Sequence, residues 1–340
     1  MTVVYAFWNN KGGTGKTSLA FQTVARYAKH HHASKILIVD ACPQANMSEL
    51  LLGGLESGGS HNVLELHDLK GRKSLGGYFQ LRLPNPYNVP RFDCDDFIIN
   101  VSDYNEHMPT NIDLLCGDPI LELQSNAINT LANNNIPGTN TWIKVIDWIR
   151  DFINACDGTY DTVFIDCNPS FSIYTQIALA SSDRIILPVM ADDSSRRAIQ
   201  NALSLVYGLR IPSDIYATYM FKTKLETEHR EIPKVHLVVK NRITQYMGSA
   251  SAYDAVLSMI KNDVKEIRES NPDFFTFNNV DDGFVDIRDF QTTGVISFAK
   301  GIPFFKMTHG RKTLNGRKIA IRKEYLEKCQ QEITVLAGKL

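Results

Sequence analysis

A glycine-rich segment near the amino terminus constrains this chain more than any other feature. It covers residues 9–18 and has the sequence Asn-Asn-Lys-Gly-Gly-Thr-Gly-Lys-Thr-Ser. An apolar run at 3–8, which predicts a buried strand, precedes it, and a helical pattern at 19–28 follows. Glycines let backbone N–H groups approach phosphate oxygens closely, and a helix amino terminus adds partial positive charge. Together these predict a phosphate-binding cradle; a lysine- and glycine-rich surface turn is the alternative.

The side chains of this segment suit a nucleotide bound with a metal ion. Lys16 is expected to reach the β- and γ-phosphates, and the Thr17 hydroxyl to bind Mg²⁺. The common phosphate-loop pattern has a glycine where this chain has Asn10, and a second lysine, Lys11, follows. The predicted nucleotide-binding residues of the segment are Lys11, Gly12, Gly13, Thr14, Gly15, Lys16, Thr17 and Ser18.

This loop with two lysines resembles the deviant Walker A motif of the ParA/MinD superfamily of ATPases. The resemblance extends over residues 1–50, 108–210 and 232–305. It implies that the protein binds ATP with Mg²⁺ and hydrolyses it. It also implies a homodimer that forms on ATP binding, in which Lys11 of each subunit contacts the phosphates held by the other.

Two aspartates follow apolar runs at the points where strands are predicted to end. Asp40 follows the run at 35–39, and Asp166 follows the run at 162–165, in the Walker B arrangement. A carboxylate at the carboxyl end of a strand beside the phosphate loop can accept hydrogen bonds from water on Mg²⁺. We therefore predict a metal site made by Thr17, Asp40 and Asp166, with an ordinary strand-end aspartate as the alternative for Asp40.

Cys42 departs from the superfamily pattern at a predicted catalytic position. Residues 40–48, Asp-Ala-Cys-Pro-Gln-Ala-Asn-Met-Ser, are similar to the superfamily segment Asp-x-Asp-Pro-Gln-x-Asn-x-[Ser/Thr]. The resemblance implies that the second aspartate, here Cys42, positions the attacking water. A thiol with a reference pKa of about 8.5 is mostly neutral near pH 7 and accepts hydrogen bonds weakly. We therefore expect slow hydrolysis with nucleotide binding intact, unless nearby Mg²⁺ and lysines favour a thiolate.

Strand and helix patterns alternate along the chain. This alternation predicts an α/β fold with a mainly parallel twisted sheet and helices on both faces. Residues 1–340 are expected to form a single P-loop ATPase domain. Residues 53–108 are predicted to be an insertion or elongated connection between the second and third strands, and residues 306–340 a basic, helical carboxyl-terminal segment.

A late predicted strand at 234–240 ends at Asn241 and Arg242. An asparagine side chain offers both a donor and an acceptor to an adenine edge. The resemblance implies that these residues contribute to the adenine pocket, and a simple asparagine turn is the alternative.

Charge and cysteine content restrict the partners and the compartment. The net charge is −1, so a surface for nucleic acid must be a local patch. Residues 306–328 hold eight Lys or Arg and two Glu, and we predict DNA contacts from Arg317, Lys318, Arg322 and Lys323; a solvated helix face is the alternative. The six cysteines lack a Cys-x-x-Cys spacing, which argues against a zinc site or redox pair and favours a reducing compartment.

No leader or apolar run of about 18 residues is seen, so we expect no stable membrane insertion and a cytoplasmic location. The resemblance implies that the protein is nucleoid-associated there. The resemblance points first to a ParA-type ATPase that partitions plasmid, phage or chromosomal DNA. Its expected partners are non-specific DNA and a centromere-binding adaptor protein. Three alternatives stay open: a MinD-like membrane-cycling ATPase with an amphipathic terminal helix, an ATP-gated scaffold that hardly hydrolyses, and a metabolic P-loop enzyme.

Overall fold

The structure, a computed structural model, describes residues 2–190, 192–209, 213–243 and 250–340. The helices are α1 (Lys16–His30), α2 (Asn46–Leu51), α3 (Gly59–Asp68), α4 (Leu75–Arg82), α5 (Ile120–Ala132), α6 (Thr141–Ile146), α7 (Trp148–Ala155), α8 (Ile173–Ala180), α9 (Asp193–Tyr207), α10 (Phe221–Thr227), α11 (Ala250–Ser270), α12 (Gln291–Lys300) and α13 (Lys323–Ala337). The strands are β1 (Val3–Phe7), β2 (Ile36–Ala41), β3 (Ile98–Asn100), β4 (Ile112–Leu115), β5 (Thr162–Cys167), β6 (Arg184–Val189), β7 (Lys234–Ile243), β8 (Phe284–Arg288), β9 (Gly310–Leu314) and β10 (Arg317–Ile321).

One twisted sheet organises the described part of the chain. Its strand order is β3-β4-β2-β5-β1-β6-β7-β8, and every pair is parallel except β3 with β4 at one edge. Every residue of β2 and β5 is buried, because helices cover both faces and a continuous apolar run then suits a central strand. The predicted α/β fold with a mainly parallel sheet is confirmed.

Two apolar cores lie on opposite faces of the sheet. The alternation of side chains along β1 shows the division, since Val4 and Ala6 join one core and Tyr5 and Phe7 the other. Helices α4 to α11 contribute to the first core, and helices α1, α2, α3, α12 and α13 to the second. The sheet is therefore rigidly enclosed, and its carboxyl edge is the place where loops are free to form a site.

Residues 53–108 are more regular than an elongated connection. They form α3 and α4, two short 3-10 helices and the antiparallel strand β3. Tyr78 and Phe79 of α4 are fully buried, with Tyr78 edge-on to Phe152 and Phe79 edge-on to Trp148. The segment therefore contains two short helices between its glycines and prolines: α4 packs on the first core, and Val63 and Leu66 of α3 pack on the second. The predicted third strand at 109–118 corresponds to β4, the fourth along the chain.

The prediction of a helical segment over residues 306–340 is wrong for its first half. Residues 310–321 form the antiparallel hairpin of β9 and β10, and α13 begins after it. Asn315 and Gly316 join the two strands with φ values of 47° and 74°. Positive φ at both central residues is the requirement of a tight hairpin turn, which Asn-Gly meets better than most dipeptides. This local turn preference places a hairpin where the helical segment was predicted to begin.

Candidate nucleotide-binding site

The glycine-rich loop joins β1 to α1 at the carboxyl edge of the sheet. Gly13 and Gly15 have φ values of 74° and 77°, a left-handed conformation that glycine adopts without strain. A Cβ atom on Gly15 would lie 2.5 Å from the Asn241 amide nitrogen, whereas a Cβ on Gly12 or Gly13 would meet no atom within 4 Å. Gly15 therefore permits close packing against β7, and Gly12 and Gly13 border open space.

Lys16 is buried at the beginning of α1. Its Nζ donates to the Lys11 carbonyl oxygen at 3.3 Å. Burial lowers the pKa of this ammonium group, and the nearby Asp166 carboxyl partly opposes that effect. A buried cation needs an anionic partner to stay charged. The phosphate groups of a nucleotide would supply that partner.

Asp40 and Asp166 lie side by side, because β2 and β5 are neighbours and the two residues are in register. The Asp40 carboxylate accepts hydrogen bonds from the Cys42 backbone N–H and from both the N–H and hydroxyl of Ser48. Thr17 donates its hydroxyl to Asp166 Oδ2 at 2.7 Å. Burial raises the pKa of Asp40 to about 6, and burial together with the Asp40 charge raises the pKa of Asp166 to about 7. The structure thus brings the three predicted metal ligands together.

Three buried polar atoms around this loop have no hydrogen-bond partner among the residues described. They are Asn10 Oδ1, Thr14 Oγ1 and Asp166 Oδ1. Buried polar atoms in native proteins are nearly always paired, so a cluster of unpaired ones marks a place for a ligand. The oxygen atoms of Thr17 and Asp166 suit Mg²⁺, which proteins commonly hold through one or two side chains while phosphates and water complete its shell.

Cys42 is buried and its Sγ donates to Asn168 Oδ1 at 3.6 Å. Burial, and then the Asp40 charge, raises the pKa of the Cys42 thiol to about 12, so the structure favours the thiol over the thiolate. Asn168 donates its amide to Ser170 Oγ at 2.9 Å and to the Tyr174 hydroxyl at 2.8 Å. These two bonds turn the Asn168 carbonyl toward Cys42. The sequence analysis did not single out Asn168.

Lys11 is paired within its own subunit. Its Nζ lies 2.7 Å from both carboxylate oxygens of Asp192 and 3.1 Å from Ser195 Oγ. Asp192 caps α9 by accepting from the Ser195 N–H. Partial burial would raise the pKa of Asp192, but the bonds from Lys11, Ser194 and Ser195 lower it to about 2. Asp192 and Ser195 were missed because they are more than 180 residues from Lys11 in sequence.

Asn241 braces the loop from β7. Its amide nitrogen donates to the Thr14 carbonyl at 2.8 Å, and its Oδ1 accepts from the Arg242 N–H at 3.0 Å. Both ends of this buried side chain are therefore engaged with the protein. Arg242 has a φ of 58° and lies within β7, where the pairing with β8 shifts register between Lys240 and Ile243. Contacts of Asn241 and Arg242 with adenine stay a prediction.

The predicted DNA-contacting residues lie away from the loop, on the hairpin and the beginning of α13. We call Arg311, Arg317, Lys318, Arg322 and Lys323 the C-terminal basic surface; all five side chains are exposed. Within the described residues, no carboxylate pairs with Arg311, Arg317, Lys318 or Arg322, and Lys323 lies 3.9 Å from Glu327. A cavity of about 480 Å³ is lined by Arg322, Lys323 and Lys328, among others.

The apolar face of α13 is covered by the protein itself. Cys329, Ile333 and Leu336 are buried in the second core. No helix among the described residues has the length and apolar character that crossing a bilayer requires.

Comparison with known proteins places these features in a family. A family model described as an AAA domain matches residues 2–210, more than half of the chain. The chromosome-partitioning ATPase Soj of Treponema pallidum is 28% identical over 251 residues, which cover 71% of this chain and 78% of Soj. An uncharacterised protein of Pseudomonas putida is 27% identical over 197 residues, which cover 56% of this chain and 57% of that protein. The chain spans between 49% and 65% of the length of the first five curated relatives it matches.

Solved structures with little sequence identity share the fold. The ATP complex of a Cyanothece McdA variant superposes with a TM-score of 0.60 at 14% identity, covering 99% of this chain and 96% of McdA. A plasmid partition protein from Borrelia burgdorferi gives a TM-score of 0.52 at 14% identity, covering 100% of this chain and 99% of that protein.

Proposed function

We propose a function from one premise: the chain belongs to the AAA-domain family and to the ParA/MinD superfamily of P-loop ATPases. The proposed protein is an ATPase of DNA partition. It binds ATP with Mg²⁺, dimerises in the ATP state and binds DNA through phosphate contacts that do not depend on sequence. A centromere-binding adaptor protein would stimulate hydrolysis and so release the DNA.

The three unpaired polar atoms around the loop are the observation that carries this proposal. Two of them, on Asn10 and Thr14, belong to the loop itself, and the third is on Asp166, whose other carboxylate oxygen accepts from Thr17. The buried cation of Lys16 lies at the end of the same loop, and a Cβ on Gly12 or Gly13 would meet no atom within 4 Å. The negative charge of a triphosphate would pair with the Lys16 ammonium group, and a metal ion would bind Asp166 Oδ1. Soj is named an ATPase, and the McdA variant is solved with ATP.

The proposed chemistry depends on positioning and charge. Lys16 and the loop N–H groups would hold the phosphates, and Thr17 and Asp166 would hold Mg²⁺, with Asp40 accepting from its water shell. When bound, Mg²⁺ neutralises charge that develops on the phosphates. Cys42 and Asn168 are left to orient the attacking water. Both are neutral, so they would orient it more weakly than a carboxylate, and basal hydrolysis should be slow.

In the proposed dimer, Lys11 must leave the Asp192 carboxylate and bind the phosphates held by the partner subunit. In the monomer Lys11 is bound to Asp192 within hydrogen-bonding distance. A role across the dimer requires that pair to open, so that the ammonium group reaches the partner's phosphates. The Lys11–Asp192 pair is partly exposed, and such pairs contribute little stability. A triphosphate on the partner would therefore compete with Asp192 for Lys11.

The C-terminal basic surface is the proposed DNA face. On the hairpin, Leu314 and Ile319 pack against the second core, and Arg311 and Lys318 occupy the opposite face of the two strands. Arg322 and Lys323 occur at the amino terminus of α13, where the helix dipole disfavours cations and favours phosphate. Exposed cations without carboxylate partners can neutralise DNA phosphates without first breaking an ion pair.

A MinD-like membrane cycle is less well supported. It was motivated by the apolar residues of the terminal helix, and those residues are now seen to be buried in the second core. The ATP-gated scaffold remains a variant of the main proposal that differs in hydrolysis rate.

Sedimentation velocity of the full chain tests the proposal. The samples contain ADP, ATP or AMPPNP with Mg²⁺, each with and without a duplex of arbitrary sequence. We expect a dimer with ATP and with AMPPNP but not with ADP. The chain should co-sediment with DNA in the presence of the same two nucleotides. Lys16→Ala is the matched control and should lose ATP binding altogether. A chain that stays monomeric in every nucleotide, or binds DNA equally well with ADP, would contradict the proposal.

A further inference from the structure

Two buried cysteines from distant parts of the sequence contact each other. Cys94 begins a 3-10 helix that precedes β3, and Cys156 caps the carboxyl end of α7. Their sulfur atoms lie 2.7 Å apart, although 62 residues separate them along the chain. The other cysteines, Cys42, Cys116, Cys167 and Cys329, make no such thiol–thiol contact in the described structure. The spacing of the cysteines in the sequence argued against a redox pair, but the fold brings two of them into contact.

The pair borders the surface rather than the centre of a core. Cys94 and Cys156 are 9% and 6% exposed. Both line a surface cavity of about 580 Å³, together with Arg91, Asp157 and Tyr160. A small oxidant can enter a cavity of this size without the protein unfolding. Larger reagents would meet the aromatic side chains that surround the pair on its inner side, where Phe92 stacks on Phe152.

The two thiols are not equivalent. Cys156 Sγ donates toward Cys94 Sγ, and a hydrogen bond to a sulfur atom favours its thiolate. This bond is the largest influence lowering the pKa of Cys94, and it raises the pKa of Cys156 correspondingly. Cys94 is therefore the better nucleophile, and Cys156 lies in position to attack it after oxidation.

We propose that Cys94 and Cys156 form a reversible oxidation site that reacts with small hydroperoxides. The Cys94 thiolate attacks the terminal peroxide oxygen, so the O–O bond breaks, and with one proton an alcohol or water leaves and Cys94 becomes a sulfenic acid. The Cys156 thiol attacks the Cys94 sulfur, a disulfide forms and water leaves. In sum, two thiols and one hydroperoxide give a disulfide, water and an alcohol, or a second water when the oxidant is hydrogen peroxide. A low-molecular-weight thiol reverses the step by exchange.

The geometry requires little movement for this bond to form. A disulfide has a sulfur–sulfur distance of about 2.05 Å, so the two atoms must approach by less than about 1 Å. The bond would join the end of the 53–108 segment to α7 and close a long loop, which stabilises a fold by restricting the unfolded chain. The site lies outside the nucleotide cradle and does not depend on the proposed ATPase function.

The test uses the native full chain and hydrogen peroxide as the probe. After treatment with one equivalent and removal of peroxide, free thiols are alkylated and peptides are mapped without reduction. We expect two fewer free thiols per chain, a linked peptide that contains Cys94 and Cys156, full recovery with dithiothreitol, and a Tm several degrees higher in the oxidised chain. Cys94→Ser and Cys156→Ser should each lose the linked peptide, whereas Cys329→Ser, a buried cysteine on α13, should keep it.

Three results would overturn the proposal. The first is that the parent chain keeps all its thiols while peroxide is consumed elsewhere. The second is that the linked peptides contain other cysteines. The third is that the Cys94–Cys156 link forms in urea and not in the native chain. Because these measurements use the parent protein, they remain decisive even if a serine variant folds poorly.

Discussion

The nucleotide cradle and the C-terminal basic surface both carry positive charge, but they hold it in opposite ways. In the cradle, Lys16 is buried near the Asp166 carboxyl, and Lys11 is held by Asp192. On the C-terminal basic surface the cations are exposed, and four of the five lack a carboxylate partner among the described residues. A buried charge is expensive unless a specific partner meets it, whereas an exposed charge is screened and tolerant of geometry.

This difference indicates two kinds of anion. The cradle can discriminate among small ligands, because each buried polar atom there must be matched by one atom of the ligand. The C-terminal basic surface can recognise only a density of phosphate charge, since its side chains are exposed and four of the five have no carboxylate partner among the described residues. Changes in the cradle should therefore act as on–off effects, and changes on the surface should act gradually and depend on salt.

Changing Lys11 should give the largest effect. Lys11→Ala is expected to bind ATP like the parent but to lose the ATP dimer, because the cation that would cross to the partner is missing. Sedimentation velocity with AMPPNP measures this directly, and nucleotide titration provides the control. If Lys11→Ala still dimerises as tightly as the parent, the proposed role across the dimer is wrong.

Asp192→Asn tests the same role of Lys11 and should make the ATP dimer form more easily. Asparagine also caps helices well, so α9 should keep its cap while Lys11 loses its anionic partner. A partly exposed ion pair is worth about 0.2–1 kcal/mol, so the ATP dimer should form at concentrations up to about fivefold lower per subunit. An unchanged dimerisation midpoint would show that Asp192 does not restrain Lys11.

The second effect concerns water positioning at Cys42. We expect Cys42→Asp to raise single-turnover hydrolysis by about 10²-fold, the lower end of what a water-orienting base contributes, because Asn168 already supplies part of that role. Cys42→Ser is neutral and of similar size, and it should be no faster than the parent. Asn168→Ala should slow the parent more than it slows Cys42→Asp. If Cys42→Asp hydrolyses ATP no faster than the parent, residue 42 does not orient the attacking water.

How much of this could be predicted from the sequence differs between the two regions. The loop, Asp40 and Asp166 were predicted because each follows an apolar strand directly, so a local pattern contains the information. The contacts of Lys11 with Asp192 and of Cys42 with Asn168 span 181 and 126 residues, and no local pattern reports them.

The basic residues of the C-terminal basic surface were predicted, but the hairpin that holds Arg311, Arg317 and Lys318 was not. Its turn, Asn315–Gly316, is a local signal that was available in the sequence. Strand β8, within residues 270–293, was also overlooked, because its five residues lie among polar turns and pack at the sheet edge. Edge strands are short and half-exposed, so their patterns are weak.

A third effect, moderate and dependent on salt, is expected on the C-terminal basic surface. Changing Arg317, Lys318, Arg322 and Lys323 to Gln should weaken binding to all DNA sequences alike. The slope of log K against log salt should flatten by up to about 0.9 for each lost phosphate contact. Fluorescence anisotropy with two unrelated duplexes over a salt series measures both properties.

A matched variant tests whether position or charge decides this result. Lys222→Gln with Lys224→Gln also removes positive charge, but Lys222 pairs with Glu226 and Lys224 lies over the Trp142 ring. This double variant should keep the parent's salt slope. If the double variant flattens the salt slope while the change of Arg317, Lys318, Arg322 and Lys323 to Gln does not, the DNA face lies near α10.

The smallest effect is on stability without nucleotide, and its sign follows from burial. Burial raises the pKa of Asp40 to about 6 and of Asp166 to about 7, so the folded state favours their protonated forms. The stability that protonation gives is fully present below the unfolded pKa of about 4 and is lost as pH rises through 6 to 7. Asp166→Asn removes the charge and should therefore raise Tm at pH 8 by a few degrees, at about 2–4 °C per kcal/mol.

Asp118→Asn provides the opposite case at another buried carboxyl. Burial alone would raise the pKa of Asp118, but the Arg72 guanidinium and the Ser74 hydroxyl lower it below its usual value. Its stability contribution is present above the unfolded pKa and is lost in acid, so Asp118→Asn should lower Tm at pH 8 and much less at low pH. Thermal melts of Asp166→Asn at pH 5 and pH 8, and of Asp118→Asn at about pH 3 and pH 8, decide the matter. If Asp166→Asn is less stable than the parent at pH 8, then Asp166 is already paired without a ligand, and the unpaired Oδ1 atom no longer indicates a metal site.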